Sequence, residues 1–219
     1  MWTEKYDPVD LDEVVGHDKL KRVIKKGIEV GDIPHFIFHG ITPGTGKTII
    51  ANLIGHELLG DVFDVNWIPL DGSNDRSVGK IRPTVMNAIK NATINGYLRI
   101  IFLDEADGLM DDAMKFLRGA MNNCNHTRFI FTCNDITQII EPIQDRCMCF
   151  EFKPLKKDDI VKRLMFIRDN EKVKIEQVEL ERIAKESRGS VRRAITKLEE
   201  ESMVGDDKED GLLERYLNK

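Results

Sequence analysis

The sequence predicts an α/β protein in which a five-stranded parallel sheet is followed by a small domain of three helices. Three observations carry this expectation. Short apolar runs alternate with stretches of helical periodicity through the first two thirds of the chain, as in a parallel sheet covered on both faces. After Lys153-Pro154 the alternation stops and only helical patterns follow. Between the first strand pattern and a helix that is apolar nearly all round lies a glycine-rich segment, Pro43-Gly44-Thr45-Gly46-Lys47-Thr48.

The five strands are expected at His35 to His39, Trp67 to Leu70, Leu98 to Leu103, Arg128 to Cys133 and Cys147 to Phe152. Between them, apolar residues recur at helical spacing in Leu20, Val23, Ile24, Ile28 and again in Ile81, Val85, Ala88, Ile89, Ala92. Beyond the boundary, helices are expected near Asp158 to Asp169, Glu176 to Ser187 and Ser190 to Glu201, with Gly189 separating the last two. The acidic runs Glu199 to Glu201 and Asp206 to Asp210 read as a solvated connection, and Leu212 to Leu217 as the start of another helix. The division is therefore residues 1–153 for the sheet domain, 154–205 for the helical domain and 206–219 for an acidic connection.

With 219 residues the chain buries a sizeable core, and 41% hydrophobic with 32% charged residues describes an ordinary globular protein. No stretch approaches a membrane span, and Met1 to Lys5 lacks the basic and apolar regions of a secretory signal, so the chain is expected to stay where it is made. The four cysteines form no C-x-x-C pair, and three lie in or beside apolar runs, as reduced, buried thiols of a cytosolic protein do. A net charge of -5 argues against coating DNA through overall basicity. It leaves room for local contacts, because a Debye length of about 8 Å at physiological salt lets a basic stripe act independently of distant acidic groups.

The context of Pro43 to Thr48, after a strand and opening a helix of Ile49, Ile50, Leu53, Ile54 and Leu58, makes it a phosphate loop. Glycines let backbone N–H groups turn inward around phosphates, and the helix N-terminus adds partial positive charge. Lys47 is placed to reach the terminal phosphates and Thr48 to ligate magnesium, which makes ATP with Mg2+ the expected ligand. The usual pattern has glycine at position 41, where this chain has Ile41 and carries Gly40 one place early, so the first turn of the loop is expected to differ. The strand Ile100-Ile101-Phe102-Leu103 ends in Asp104-Glu105, which supplies a carboxylate for the magnesium shell (Asp104) and one for the attacking water (Glu105).

Arg192 carries an argument of its own. With Ser190 as N-cap, Arg192 and Arg193 fall in a first helical turn, where the dipole disfavours cations by about 0.3–1 kcal/mol each, so an anionic partner is expected to offset this. Arg193 is expected to face solvent or pair with a glutamate.

Seven segments then occur in one order: Trp2-Thr3-Glu4-Lys5-Tyr6-Asp7-Pro8, Val14-Val15-Gly16-His17, the phosphate loop, Asp104-Glu105-Ala106-Asp107, Cys133-Asn134, Glu141-Pro142-Ile143-Gln144-Asp145-Arg146-Cys147 and Gly189-Ser190-Val191-Arg192. Together they resemble the small subunit of a replication-factor-C-type clamp loader, an AAA+ P-loop ATPase of archaeal, eukaryotic or phage style, over nearly the whole chain. The resemblance implies an AAA+ sheet with a three-helix lid, and the collar domain that the family carries is expected to be missing from this sequence, the acidic connection leading toward it. It implies a hetero-oligomeric, pentameric spiral with other clamp-loader subunits that opens a sliding clamp around primer-template DNA. The location it implies is the cytoplasmic nucleoid or replication fork, or the nucleus in a eukaryote.

By the same resemblance Asn134 matches sensor 1, which positions water or the γ-phosphate, and Arg192 matches sensor 2, which touches phosphate from the lid. Arg146 matches the finger that reaches a neighbouring subunit's ATP, and such fingers are worth about 10³–10⁵ in rate. Asp145 stands where the family has serine, and both steadying Arg146 and competing for it remain open. Tyr6, Pro8, Val15 and Gly16 correspond to the segment that walls the adenine, although plain packing explains Tyr6 and Val15 as well. Asp7 replaces the family's usual arginine.

The segment Asp75 to Arg82 matches the region that tracks the DNA backbone, with Arg82 ahead of Lys80 and Arg76 as phosphate contacts; a solvated helix face is the alternative. The helix around Ala113 to Met121 is the implied clamp contact. The basic clusters at Lys19 to Lys26 and Lys156 to Arg163 are most simply solvated faces. Two rival functions stand beside the clamp loader: a scaffold subunit that does not hydrolyse its nucleotide, and another AAA+ DNA enzyme such as a helicase loader or branch-migration helicase. Joint retention of Lys47, Thr48, Glu105, Arg146 and Arg192 argues against the first, and Trp2 to Pro8 with Asp145-Arg146-Cys147 against the second.

Overall fold

A computed structural model of the chain describes residues 1–95, 98–122 and 124–209, with 92–95 and 204–209 described by backbone alone. Five parallel strands, β1 (His35–His39), β2 (Trp67–Asp71), β3 (Arg99–Asp104), β4 (Thr127–Cys133) and β5 (Cys147–Glu151), form one sheet in the order β2-β3-β4-β1-β5. Each lies within one residue of its predicted bounds. The helices among the described residues are, in chain order, α1 (Trp2–Lys5), α2 (Asp18–Val30), α3 (Lys47–Leu59), α4 (Phe63–Asn66), α5 (Val78–Asn95), α6 (Asp111–Met121), α7 (Glu141–Gln144), α8 (Lys157–Glu171), α9 (Gln177–Glu186) and α10 (Val191–Glu209). Among these no helix is long and apolar enough to cross a membrane.

The chain divides into two compact units: residues 17–41 with 46–152, and residues 1–16 with 42–45 and the described residues from 153 on. In the sheet unit, side chains of β1 alternate between two faces. Ile37 joins Ile101, Leu103, Phe129 and Phe131 in a core closed by α5 and α6, whereas Phe36 and Phe38 pack with Phe150 and with each other. The interior positions of the central strands are mostly buried, but β5 is an edge strand and Met148 is 49% exposed. This corrects the reading of the thiols. Cys124 and Cys133 are buried as expected, but Cys147 is half-buried and Cys149 exposed, all four being free.

In the helical unit, α8, α9 and α10 enclose Ile160, Leu164, Ile167, Leu180, Ile183 and Leu198. Residues 1–16 belong to this unit, whereas the composition boundary at 153 grouped them with the sheet. Trp2 and Tyr6 pack against the helical core, the Trp2 backbone N–H donates to Glu199 at 3.0 Å, and Arg163 donates to the Tyr6 carbonyl at 2.6 Å. Periodicity is local and carries no sign of a segment docking across so much intervening sequence. The last helix starts after Ser190 as expected but runs to Glu209, so Asp206 to Glu209, read as a connection, are helical. Its acidic run is helix-compatible because Lys197 pairs with Glu200 and Glu201, and Arg182 of α9 with Glu201 at 2.7 Å. The helix expected at Leu212 to Leu217 lies outside the described residues.

Candidate active site

At the C-terminal end of β1 the chain turns through Gly40, whose N–H donates to the Cys133 carbonyl at 3.2 Å. A Cβ at this position would lie 2.3 Å from the Phe152 carbonyl oxygen, so only glycine fits. Ile41, 86% exposed, projects into solvent, which is why the place usually held by glycine accepts a large side chain here. The close approach has moved to residue 40.

Lys47 opens α3, and its ammonium donates to the Gly40 carbonyl at 2.6 Å and to Asn134 Oδ1 at 3.3 Å. One residue on, Thr48 Oγ1 lies 3.2 and 3.3 Å from the two carboxylate oxygens of Asp104. Asp104 ends β3, and beside it on β4 the buried Thr132 hydroxyl donates to Asp104 while accepting the Glu105 N–H at 3.0 Å. Glu105 sits in the left-handed region at φ 50°, its carbonyl accepting from Gly108 at 2.9 Å. Its exposed carboxylate accepts from the Ser73 hydroxyl. Asn134 is set in turn by Asp107, which accepts its backbone N–H at 2.9 Å. The sheet unit therefore brings Lys47, Thr48, Asp104, Glu105 and Asn134 to one edge, at the carboxyl ends of parallel strands where such folds bind ligands.

The helical unit holds the earlier half of the loop. Gly44 has φ +72° and its carbonyl accepts the Val191 N–H at 3.1 Å, while Thr45 Oγ1 closes on the Thr42 carbonyl at 3.2 Å. A Cβ at Gly44 would come within 2.5 Å of Ser190 Oγ and 2.8 Å of Arg192 Cβ, so the first turn of α10 rests directly on this glycine beside Pro43. Ser190 is the N-cap expected, accepting the Arg193 N–H at 3.3 Å. Arg193 caps the Ser187 carbonyl at 3.3 Å rather than a glutamate, and Arg192 is exposed. Desolvation raises the pKa of the Asp7 carboxyl, and the positive charges of Arg192 and Arg163 offset part of that rise.

Tyr6 turns its ring edge-on to Phe166 and donates its hydroxyl to Glu171 at 2.7 Å, so its body is part of the helical packing. Pro8 is half-buried. Val15 and Gly16 line a cleft of about 260 Å³ with Asp12, Lys162 and Phe166. Arg146 has partners of its own in the sheet unit: Nε donates to Asn122 Oδ1 at 3.1 Å and Nη1 to the Pro142 carbonyl at 2.6 Å.

The three candidate DNA contacts are exposed but not equivalent. Arg76 donates to the Gly108 carbonyl at 2.9 Å, and Lys80 donates to the Asn74 carbonyl at 2.8 Å and pairs with Asp75 at 3.7 Å. Arg82, exposed, lies over the Phe116 ring at 4.7 Å, a contact that holds the guanidinium. Of the helix expected to meet a clamp, Ala113, Met114, Leu117, Ala120 and Met121 are core, leaving Met110, Lys115 and Arg118 outward.

Sequence reasoning missed Thr132, Ser73 and Asn122. Thr132 reads as an ordinary strand former, and only the β3–β4 register sets it beside Asp104; Ser73 and Asn122 sit where turn residues are expected anyway.

Residues 36–155 match the ATPase family associated with various cellular activities (AAA), and residues 162–203 match an RCF1/5-like AAA+ ATPase lid domain. The replication factor C small subunit of Archaeoglobus fulgidus is 41% identical over 208 residues, covering 94% of this chain and 65% of that protein. The small subunit of Methanocella arvoryzae is 38% identical over 209 residues with the same coverage, 94% and 65%. The chain thus spans about 65% of the length of these curated relatives. Among solved structures, a Thermotoga maritima RuvB Holliday junction branch migration motor superposes with a TM-score of 0.72 at 20% identity, over 88% of this chain and 64% of that one, and so shares the fold. Because the AAA match spans the stretch that builds the sheet and the Thr48–Asp104 junction, and the lid match the helices beyond it, the chain belongs to the AAA family of nucleotide-binding ATPases.

Proposed function

We propose that this chain binds ATP with magnesium and hydrolyses it as one subunit of a sliding-clamp loader working on primer-template DNA. The observation that carries the reading is the meeting of Thr48 Oγ1 with both oxygens of Asp104, at 3.2 and 3.3 Å, one residue from Lys47. A hydroxyl and a carboxylate at that spacing suit a hard cation that takes a few protein oxygens and the rest from phosphates. When bound, the cation would neutralise charge developing on the triphosphate.

The remaining roles follow from where each side chain is held. Lys47 exchanges the Gly40 carbonyl and Asn134 for phosphate oxygens, and Asn134 then orients water or phosphate. Glu105 accepts the proton of the attacking water, which requires its carboxylate to turn from Ser73. Gly44, Thr45 and Gly46 present N–H groups to phosphate, and Arg192 stands on the helical turn that Gly44 supports. Val15 and Gly16, together with Tyr6 and Pro8, receive the adenine. Arg146 acts in trans on a neighbouring subunit's ATP, and Arg82, then Lys80 and Arg76, take DNA phosphates. The likeness to replication factor C small subunits supports the partners, the AAA+ and lid division and the setting at a replication fork, in cytoplasm or nucleus.

Glu105→Gln is expected to keep ATP binding and abolish hydrolysis, and Arg146→Ala to impair hydrolysis in mixed assemblies only. Turnover is expected to rise on adding a sliding clamp and primed DNA. Equal loss in isolated Arg146→Ala monomers, or turnover indifferent to clamp and DNA, contradicts the proposal.

A further inference from the structure

We infer that Asn122 is a positioning residue for Arg146, holding the guanidinium in the orientation from which it acts on a neighbouring subunit's nucleotide. The inference rests on the trans role proposed above and adds the residue that aims it.

Arg146 follows the short helix α7 at the start of β5, on an exposed edge, and an arginine there has several freely rotating bonds to restrain. Two contacts restrain them. Nη1 donates to the Pro142 carbonyl at 2.6 Å, a bond within the same turn that fixes how far the side chain folds back. Nε donates to Asn122 Oδ1 at 3.1 Å, and Asn122 is the C-cap of α6, an element remote in sequence and anchored in the core through Leu117, Ala120 and Met121. Holding Nε and one Nη fixes the guanidinium plane, which is what a planar fork aimed at phosphate oxygens requires. Among the described residues Nη2 takes no hydrogen-bond partner, so one donor group is left to present. An amide suits this task better than a carboxylate, since Asn122 accepts from Nε without adding a negative charge that would oppose phosphate. The backbone does not need this side chain: α6 is closed by the Asn122 N–H bonded to Gly119 and Ala120 carbonyls.

The test is steady-state ATP turnover in the assembled complex, with wild type, Asn122→Ala, Asn122→Asp, Arg146→Ala and the double variant Asn122→Ala/Arg146→Ala. Asn122→Ala is expected to lower kcat about tenfold with KM for ATP and the melting temperature unchanged, because orientation is lost and charge kept. The double variant is expected to be no slower than Arg146→Ala, the signature of two residues acting as one unit. Asn122→Asp, which keeps the acceptor but adds charge, is expected to hold Arg146 without restoring kcat. A loss in Asn122→Ala that persists undiminished in the Arg146→Ala background, or falls on KM instead, overturns the inference, since the side chain then acts structurally. Full turnover in Asn122→Ala while Arg146→Ala is impaired overturns it alone and leaves the trans role intact. Full turnover in Arg146→Ala removes the trans role and the inference together.

Discussion

Replacing Thr132 by valine isolates one atom on which the geometry of the two carboxylates depends. The side chain is 1% exposed, and its hydroxyl both accepts the Glu105 N–H at 3.0 Å and donates to Asp104. Valine keeps the volume and the strand preference, so the change removes two hydrogen bonds and little else. The lost acceptor of the Glu105 N–H and the lost bond to the Asp104 carboxylate are worth about 1–3 kcal/mol each, which together give about 2–6 kcal/mol of lost stability. The consequence extends to the site. Glu105 holds a left-handed backbone at φ 50° through its N–H to Thr132 and its carbonyl to Gly108 at 2.9 Å, so one of two restraints disappears. Urea denaturation at an unchanged m-value measures the first effect, and ATP turnover the second, expected to fall at least about tenfold. Thr132→Ser, which keeps Oγ, is expected to recover most of both. A Thr132→Val protein as stable as wild type within about 0.5 kcal/mol would refute the bridging role.

Gly44→Ala is expected to cost about 1–2 kcal/mol from its φ of +72° alone and more from the collision with Ser190 and Arg192, weakening ATP binding about tenfold or more in equilibrium titration. His35 offers a test by pH. Burial, with Arg128 nearby, lowers its pKa to about 4, and its Nδ1 accepts the Phe129 N–H at 3.0 Å, a bond that needs the unprotonated nitrogen. The unfolded chain takes up this proton near pH 6.5 and the folded one does so only near 4, so the stabilisation present above 6.5 is lost as pH falls through that window. Between pH 7 and 4.5 the loss from this group is roughly 2.5 kcal/mol, and denaturant midpoints should show a shallower pH dependence in His35→Gln than in wild type.

How much of this was legible in advance depended on whether the cause was local. Strand bounds came within a residue because apolar runs, turn residues and the glycine-rich loop act within a few positions. The meeting of Thr48 with Asp104, with Lys47 and Glu105 next to them in the chain, was legible because a glycine-rich turn between strand and helix and a buried strand ending in carboxylates are local patterns. What escaped were pairings made by register and docking: Thr132 across β3 and β4, Ser73 on Glu105, Asn122 on Arg146, and the first residues of the chain on the helical core. The exposure of Cys149 escaped because an apolar run does not say whether its strand is central or at an edge. The length of α10 escaped because an acidic run looks like a connection until its cationic partners are placed.

The central claim is that Lys47, Thr48 and Asp104 together form one site for a metal-bound triphosphate. Calorimetric titration of ATP into the chain with magnesium, then with a chelator, repeated for Lys47→Ala, tests it most directly. The account predicts binding that weakens at least about tenfold without magnesium and is lost in Lys47→Ala. Binding of equal strength in Lys47→Ala and indifferent to magnesium would contradict it.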